Sequence, residues 1–441
     1  MQSLNETHDS ARRSWVKAAN ESGCDFPIQN LPFGVFRAQG REPRGGVAIG
    51  DMIFDLKVAV DAGLFSAEAR DAARAACAPA LNTLMALPPH QISTLRRNLF
   101  DLLRADGPNR ERIEKLASDL LVPMQKANCM LPAVIGGFTD FFTSIDHVSR
   151  VGRVVRPDSP LPPAFKHLPM AYNGRASSVV VSGAPVTRPR GQQRHSDGEV
   201  RFAPTRALDY ELETGIYISS GNALGTSIPL RAAPNHIFGL CLLNDWSSRD
   251  IQRWESFPLG PFLGKSFCTT ISPWIVTSEA LAPFRVAAAV RAKDDPAPQA
   301  YLQDTADQVA GGFDIELIAT IQTAAMRSHG QAPVQITHTN LSTLYWTAAQ
   351  LVAHHASNGC NLRPGDLLGT GTTSGPTDES RACMLELTSG GKDPIRLPNG
   401  ETRAWLEDGD EVALHGRANR NGFVPIGFGE CRARIEPASS E

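Results

Sequence analysis

The chain has 441 residues, a formal net charge of −3, 42% hydrophobic residues and 20% charged residues. This length supports two domains, or one large domain with a smaller appendage. The near-neutral charge gives no electrostatic reason to expect nucleic acid or a membrane surface as a partner, and no apolar run reaches the roughly 20 residues that span a bilayer.

The N-terminal residues and the cysteines indicate the cellular compartment. The first 20 residues are polar throughout, which is not typical of a secretory signal. The eight cysteines are scattered without a C-x-x-C pair. They therefore predict reduced core thiols in a cytoplasmic protein, not a disulfide framework.

Residues 1–132 predict a small and mostly structural domain. The strand-like runs FGVFRA and GVAIGDMIFDL precede two helical stretches. One predicted helix begins at Ser66, a plausible N-cap, and the other covers QISTLRRNLFDLLRAD. Neither stretch carries a cluster of reactive groups.

Residues 133–441 predict a large mixed β fold with a helix or two. Strand-like runs recur as SSVVVSG, YELETGIYIS, FGLCLLND and SPWIVTS, and WSSRDIQRWE is the one convincing helix. The polar segment 188–205 predicts a loop, and 293–312 predicts another loop-like or frayed segment. Because strands and helices do not alternate regularly, a doubly wound sheet is not expected.

Four acidic residues lie where strand-like runs meet Gly, Ser or aromatic residues: Asp140, Glu211, Glu213 and Asp245. Alternate residues of a strand share a face, so Glu211 and Glu213 should lie side by side. Neighbouring carboxylates repel unless a cation lies between them, and such oxygen ligands suit Mg²⁺, Ca²⁺ or Mn²⁺. The alternative is an ordinary surface strand on which Glu211 and Glu213 face solvent.

Other polar residues could supply acid–base and electrostatic chemistry. His147 follows Asp140 by seven residues and is a candidate general base, although a lone histidine is often only structural. Glu386 lies in the apolar run MLEL, which we interpret as a strand, where a carboxylate needs a partner. Arg249 and Gln252 share a helix face, and Lys265 lies in a glycine-flanked loop.

Several common motifs are absent or imperfect. The segment 260–266 is one residue short of a phosphate-binding loop, and 369–375 has the wrong spacing for a dinucleotide fingerprint. Neither a G-x-S-x-G elbow nor an H-E-x-x-H helix occurs. Nucleotide hydrolysis, hydride transfer and serine hydrolase chemistry therefore lose support.

Five motifs resemble those of the fumarylacetoacetase family. In chain order they are YNGRASS at 172–178, DWSSRDIQ at 245–252, PLGPFLGKSF at 258–267, NLRPGDLL at 361–368 and MLEL at 384–387. The similarity runs in order from about residue 30 to past residue 430, and several motifs are eight or more residues long. It is thus far more specific than a lone short motif.

The resemblance implies a mainly β fold with some helix, in two domains. Residues 1–132 would form a small SH3-like barrel domain, and residues 133–441 a catalytic mixed β-roll. It further implies a homodimer that hydrolyses 4-fumarylacetoacetate, a small diketo acid, to fumarate and acetoacetate in tyrosine and phenylalanine catabolism. The implied cofactor is Mg²⁺, Ca²⁺ or both.

The resemblance also implies roles for individual residues. The metal ligands and the edge of the metal site would be Asp140, Glu211, Glu213, Asp245, Lys265 and Thr269. The general base would be His147, oriented by Glu386. The groups around the leaving fragment would be Arg249, Gln252 and Lys265. The substrate contacts would be Arg156, Tyr172, Thr372, Arg249 and Gln252, with Phe142 and Ser256 at two further positions.

Phe142 and Ser256 depart from the family pattern, which usually has Tyr at both positions. A lost phenol hydroxyl removes a hydrogen bond, which costs on the order of 1–3 kcal/mol if its partner stays unsatisfied. Another acylpyruvate or β-diketone therefore remains an alternative substrate. A related decarboxylase would not need a water-activating base, and a catalytically silent relative would have lost a ligand or the base.

Overall fold

The computed structural model describes residues 4–38, 40–108 and 110–440. In the N-terminal part, the sheet has the order β4-β3-β2-β1-β5, and all of its neighbouring strands are antiparallel. These strands are β1 (Phe33–Ala38), β2 (Arg44–Ile49), β3 (Met52–Asp55), β4 (Leu121–Pro123) and β5 (Ala127–Met130). They form the half-barrel sheet of the predicted small domain.

Six helices lie between β3 and β4 in the described part of the chain. They are α1 (Leu56–Asp61), α2 (Arg70–Ala76), α3 (Asn82–Met85), α4 (Pro89–Leu103), α5 (Arg110–Lys115) and α6 (Ala117–Leu120). Helix α4 covers most of the second predicted helix, and Leu95, Leu99 and Leu103 repeat every four residues on its buried face. The start predicted for the first helix was wrong. A turn closed by the Ala69 N–H and the Ser66 carbonyl comes first, and α2 begins at Arg70.

The rest of the chain is a succession of strands with a few helices. The strands are β6 (Phe138–Phe142), β7 (Met170–Asn173), β8 (Val179–Val181), β9 (Val186–Thr187), β10 (Arg190–Arg194), β11 (Val200–Pro204), β12 (Leu208–Asp209), β13 (Leu212–Ile218), β14 (Ile237–Asp245), β15 (Ser247–Ser248), β16 (Thr269–Ile271), β17 (Val276–Thr277), β18 (Arg285–Val286), β19 (Gly312–Phe313), β20 (Ile315–Gln322), β21 (Val334–Asn340), β22 (Leu367–Gly369), β23 (Ile395–Arg396), β24 (Thr402–Arg403), β25 (Glu411–Ala418) and β26 (Ile426–Glu436). The helices are α7 (Ile145–Val155), α8 (Arg249–Glu255), α9 (Thr305–Ala310), α10 (Ala324–Ser328), α11 (Ala348–His355) and α12 (Met384–Leu387). No described helix is long and apolar enough to cross a membrane.

Two sheets enclose the main core of this part. The larger has the order β7-β6-β22-β13-β14-β16-β8, with β17 also paired to β14. The second has the order β21-β20-β25-β26-β9. Side chains of both sheets, such as Leu242 and Leu317, join one buried cluster. The chain is therefore a mixed, mostly β protein, as predicted.

The opposite face of the larger sheet is covered by the N-terminal part. Tyr217, Cys241, Leu243 and Leu367 belong to the same buried cluster as the apolar side chains of α2 and α4. Strands β13 and β14 are buried along their whole length because both faces of the sheet are covered. Alternate residues farther along these strands reach the same face, and it is there that the carboxylates gather.

Three further predictions of local structure were wrong. Residues 188–205 are not a loop, because β10 and β11 pair as a hairpin, with Gln192 opposite Phe202. The run MLEL is the short helix α12, not a strand. WSSRDIQRWE does contain α8, but α7 and α11 are additional helices of eight or more residues.

Candidate active site and metal centre

Three strands of the larger sheet, β6, β13 and β14, bring the four carboxylates together. Asp140 lies on β6, Glu213 lies on β13 with Glu211 just before it, and Asp245 ends β14. In β22, Gly369 lies opposite Asp140 of the parallel strand β6 and opposite Gly215 of the antiparallel strand β13. These pairings bring carboxylates from distant parts of the sequence, from Asp140 to Asp245, to one end of the sheet.

The four carboxylates form a compact, buried cluster. Each offers one oxygen, and these oxygens all lie within 4.8 Å of one another. Asp140 Oδ1 and Glu213 Oε1 are buried without a hydrogen-bond partner among the described residues. The other oxygen of Glu213 accepts a hydrogen bond from the Gly371 N–H at 3.0 Å. Two carboxylate oxygens thus lack the donor that burial normally requires.

The electrostatics of the cluster fit a bound cation. Burial, together with the charge of Asp245, raises the pKa of Asp140 well above its ordinary value. Burial and the charge of Asp140 do the same to the pKa of Glu213. A Cβ atom on Gly369 would stand 2.5 Å from Asp140 Oδ1, so glycine leaves the space beside these oxygens open. An all-oxygen donor set with unpaired buried carboxylates suits Mg²⁺ or Ca²⁺.

Lys265 and two hydroxyls surround Asp245. The Lys265 ammonium lies 2.7 Å from Asp245 Oδ2 and also pairs with Glu211. The Tyr172 hydroxyl donates to Asp245 Oδ2 at 2.6 Å, and the Thr269 hydroxyl donates to Oδ1 at 3.0 Å. Burial opposes the charge of Lys265, but Asp245 and Glu211 outweigh it and raise its pKa. Lys265 is therefore a buried, charged donor beside the cluster.

Arg249 joins the carboxylate cluster to the helix that follows β14. Its NH2 lies 2.7 Å from Glu211 Oε1, its Nε donates to Asp209 Oδ2 at 2.8 Å, and its NH1 donates to Gln252 Oε1 at 3.2 Å. Burial favours a neutral Glu211, but Lys265 and Arg249 reverse this and lower its pKa. Glu211 is thus held ionised by two buried cations.

His147 and Glu386 form a second buried pair next to the cluster. Ser144 caps α7, and its hydroxyl accepts the His147 N–H at 3.1 Å, which fixes the start of the helix. His147 Nδ1 lies 2.8 Å from Glu386 Oε2, and Nε2 lies 3.9 Å from Glu211 Oε1. The ring therefore spans the distance between Glu386 and the carboxylate cluster.

The surroundings of Glu386 determine which ring nitrogen donates. Burial opposes its charge, but His147, Ser374 and Arg150 stabilise the carboxylate and lower its pKa to about 2. An ionised carboxylate can only accept, so Nδ1 carries the proton that it donates to Glu386. Nε2, the nitrogen toward the cluster, is then free to accept a proton when the ring is neutral.

A cavity of about 600 Å³ opens over the cluster and the histidine. The predicted site residues that line it are Asp140, Phe142, His147, Tyr172, Glu211, Glu213, Arg249, Gln252, Lys265 and Thr372. Asp245, Thr269 and Glu386 lie behind this lining and contact it. Phe142 packs edge-to-face on His147, with ring centroids 5.4 Å apart. Leu259 and Pro261 complete an apolar side at the mouth.

Two of the predicted substrate contacts lie outside the cavity lining. The described lining does not include Arg156, which is exposed at the end of α7. Nor does it include Ser256, whose hydroxyl donates to the Gln252 carbonyl at 2.5 Å. Ser256 thus caps the end of α8 through its hydroxyl.

Sequence reasoning missed three supporting residues. The Asp209 carboxylate accepts hydrogen bonds from the Arg249 side chain and from the Met384 and Leu385 N–H groups. It therefore anchors both Arg249 and α12, the helix that carries Glu386. It is two residues before Glu211, and the same alternation that marked Glu211 and Glu213 could have indicated it. Arg150 and Ser374 contact Glu386 only through the tertiary fold, and no local pattern marks them.

Comparisons with known proteins agree with this geometry. The family model described as fumarylacetoacetase N-terminal matches residues 29–132, and the one described as fumarylacetoacetate hydrolase C-terminal matches residues 138–436. A rice (Oryza sativa subsp. japonica) fumarylacetoacetase is 45% identical over 433 residues, which are 97% of each chain. The human (Homo sapiens) fumarylacetoacetase is 43% identical over 430 residues, 96% of this chain and 99% of the relative.

A solved structure supports the same fold. A fumarylacetoacetate hydrolase from Exiguobacterium antarcticum superposes with a TM-score of 0.50 at 16% identity, over 92% of this chain and 99% of the other. That likeness concerns the fold alone, whereas the family models and the near-full-length relatives concern the sequence. Together with the buried carboxylates, they lead to one conclusion. The chain belongs to the fumarylacetoacetase family of hydrolases.

Proposed function

We propose that this chain hydrolyses 4-fumarylacetoacetate to fumarate and acetoacetate with the help of a divalent cation, as a step of tyrosine and phenylalanine breakdown. The observation that carries the proposal is the buried quartet of carboxylates, one of which, Glu211, lies 3.9 Å from the His147 imidazole. A further carboxylate, that of Glu386, orients this imidazole. Cleavage of a carbon–carbon bond beside a carbonyl needs an activated water and a means to stabilise the departing carbanion. Both needs are met on one wall of the cavity.

His147 is the proposed general base. Its Nδ1–H is held by Glu386, so Nε2 can take a proton from a water that attacks the fumaroyl carbonyl carbon. That carbon gains the water oxygen and becomes a carboxylate of fumarate. The bond to the neighbouring methylene breaks, and its electron pair leaves on acetoacetate as an enolate that is then protonated.

The carboxylates and cations around them have complementary roles. Asp140, Glu211, Glu213 and Asp245 would hold the cation, with Thr269 at the edge of the site. A bound Mg²⁺ or Ca²⁺ would polarise the diketone oxygens and offset the negative charge of the enolate. Lys265, Arg249 and Gln252 would donate to the leaving fragment, and Lys265 also neutralises Glu211 and Asp245.

The substrate contacts follow from the cavity wall. Tyr172 and Thr372 line the cavity with Phe142, and they are the proposed contacts of the diketo acid. Arg156, which is exposed, would reach the substrate only from the rim. Ser256 lies outside the cavity lining, so we assign it no direct contact with the substrate. The apolar ring of Phe142 favours the olefinic part of the substrate over a charged group.

Further parts of the proposal concern the whole protein. We propose a homodimer of cytoplasmic chains, in which residues 1–132 form the N-terminal domain and residues 133–441 the catalytic domain. The family of the sequence supports the assembly and the division. The eight cysteines are all free, which suits a reducing compartment.

Isotope labelling tests the reaction class directly. Turnover of fumarylacetoacetate in ¹⁸O-water should place one labelled oxygen in a carboxylate of fumarate, with equal amounts of fumarate and acetoacetate. A decarboxylase acting on the same compound would release carbon dioxide and leave fumarate unformed. Release of carbon dioxide, or fumarate without the label, would contradict the proposal. His167→Ala, at an exposed histidine outside the cavity lining, is the matched control and should behave as the wild-type protein does.

A further inference from the structure

Arg150 lies on the same helix as His147, three residues later, and contacts the partner of that histidine. Its NH1 donates to Glu386 Oε1 at 3.3 Å, and its NH2 donates to the Thr377 carbonyl at 3.2 Å. Residues three apart on a helix lie on neighbouring positions of one face. Arg150 and His147 therefore reach Glu386 from the same side of α7.

The two oxygens of Glu386 have separate partners. Oε2 accepts from His147 Nδ1 at 2.8 Å and from the Ser374 hydroxyl at 2.6 Å. Among the described residues, Oε1 has Arg150 as its hydrogen-bond donor. The Glu386 side chain has no exposed surface, whereas that of Arg150 is 16% exposed. Without Arg150, Oε1 would be a buried charged oxygen with no donor, and the carboxylate could rotate about its last bond.

We propose that Arg150 is a positioning residue for the reaction. It fixes the plane of the Glu386 carboxylate, which in turn fixes the ring of His147 with Nε2 toward the cavity. The Thr377 carbonyl holds the other end of the guanidinium, so the arginine is braced between the loop before α12 and α12 itself. This inference rests on the proposed function, in which His147 is the base, but its structural part can be measured without substrate.

The experiment compares Arg150→Met with Arg153→Met. Arg153 is exposed on the same helix, and it controls for the loss of a positive charge from α7. Arg150→Lys, which keeps the charge but not the two-pronged contact, is the conservative variant. Each protein is assayed with fumarylacetoacetate for kcat and KM. Each is also labelled with ¹⁵N-histidine, and the Nδ1–H signal of His147 is assigned by its loss in His147→Ala.

Arg150→Met should lower kcat on the order of 10-fold, as expected for a group that orients a functional side chain, with KM unchanged. Arg150→Lys should retain more activity, and methylguanidinium at sub-denaturing concentration should restore part of the activity of Arg150→Met. The Nδ1–H signal should be sharp in the wild-type protein and in Arg153→Met, but broadened by exchange with water in Arg150→Met.

Two results would overturn the inference. One is a kcat and an Nδ1–H signal in Arg150→Met that equal those of Arg153→Met. The other is a loss of kcat that follows a lowered melting temperature, with an unchanged signal and no rescue by methylguanidinium. If no variant, including the wild-type protein, cleaves fumarylacetoacetate, the proposed function fails. The histidine signal still decides whether Arg150 orders the His147–Glu386 pair.

Discussion

At the residue scale, the site depends on one imidazole between two carboxylates. His147 Nδ1 lies 2.8 Å from Glu386 Oε2, and His147 Nε2 lies 3.9 Å from Glu211 Oε1. Because Glu211 is itself paired with Lys265 and Arg249, these two cations largely neutralise its charge. The histidine can thus act as a base without being locked in an ion pair with Glu211. Phe142 supports the ring from its edge.

Replacing His147 by alanine should abolish most turnover. A positioned general base contributes about 10²–10⁴-fold, so kcat should fall by that factor while KM changes little. Metal affinity should persist, since the imidazole is not one of the four clustered carboxylates. Steady-state kinetics with fumarylacetoacetate, paired with calorimetric titration of Mg²⁺, measures both quantities. A kcat near that of the wild-type protein would mean that His147 is structural.

Replacing Phe142 by tyrosine tests the identity of the substrate. If fumarylacetoacetate is the substrate, a new hydroxyl on the cavity wall should gain a hydrogen bond worth about 1 kcal/mol and lower KM by about fivefold. If the ring lines a pocket for a saturated acyl group, the hydroxyl would be buried unpaired and binding should weaken. The comparison is kcat/KM for fumarylacetoacetate and for acylpyruvates with saturated tails. A KM that rises for fumarylacetoacetate alone would argue for a different substrate.

At the element scale, the sequence predicted each carboxylate but only part of their arrangement. The alternation of Glu211 and Glu213 follows from the period of a strand, so their shared face was predictable. The approach of Asp140 required the parallel pairing of β6 with β22, which is more than 200 residues later in the chain. Such non-local pairings leave no periodic signal, and the family resemblance implied only that Asp140 belongs with the other carboxylates, not which strands pair.

The errors of local prediction have physical causes. The run MLEL has three apolar residues around Glu386, and so short a run fits a buried strand or a buried helical turn equally well. The structure chooses a helix because Asp209 accepts the Met384 and Leu385 N–H groups at its start. The segment 188–205 reads as a loop because it is polar, yet its hairpin is stabilised by backbone pairing and by Gln193 contacts to the Ala203 and Pro204 carbonyls.

Replacing Glu213 by glutamine tests the cluster built by β6, β13 and β14. The substitution keeps the volume but removes one charge and one ligand oxygen, so the affinity for Mg²⁺ and Ca²⁺ should fall by at least about tenfold. Glu430→Gln, at an exposed position on β26, is the matched control and should bind as the wild-type protein does. Calorimetric titration measures both variants. Equal affinities in the two proteins would remove the cluster from consideration as a metal site.

At the scale of the whole molecule, the buried carboxylates couple folding to the cation. The core that the N-terminal part shares with the larger sheet continues up to the strand ends where these carboxylates lie. Without a cation, folding brings Asp140 and Glu213 into an environment that raises their pKa values. A cation binds the folded chain through those same oxygens and should therefore stabilise the whole protein.

The stability of the protein should depend on pH in a way that the cation changes. A carboxyl with a raised pKa in the folded state stabilises the fold below its ordinary pKa, and this contribution is lost as the pH rises through the raised value. Glu211, whose pKa is lowered, already contributes fully above its ordinary value. The gap in melting temperature between Mg²⁺-saturated and chelator-treated protein should therefore widen as the pH rises above about 4.5, the ordinary glutamate value. A gap that is constant or narrows would contradict this linkage.

The most direct test of metal-dependent hydrolysis follows the ultraviolet absorbance of the diketone in fumarylacetoacetate. Purified protein should remove this absorbance, treatment with a chelator should stop the loss, and added Mg²⁺ or Ca²⁺ should restore it. The four clustered carboxylates predict this dependence, because Lys265 and Arg249 alone do not offset their charge beside the enolate. Loss of absorbance at an unchanged rate in protein shown to be free of metal, or no loss under any of these conditions, would contradict the account.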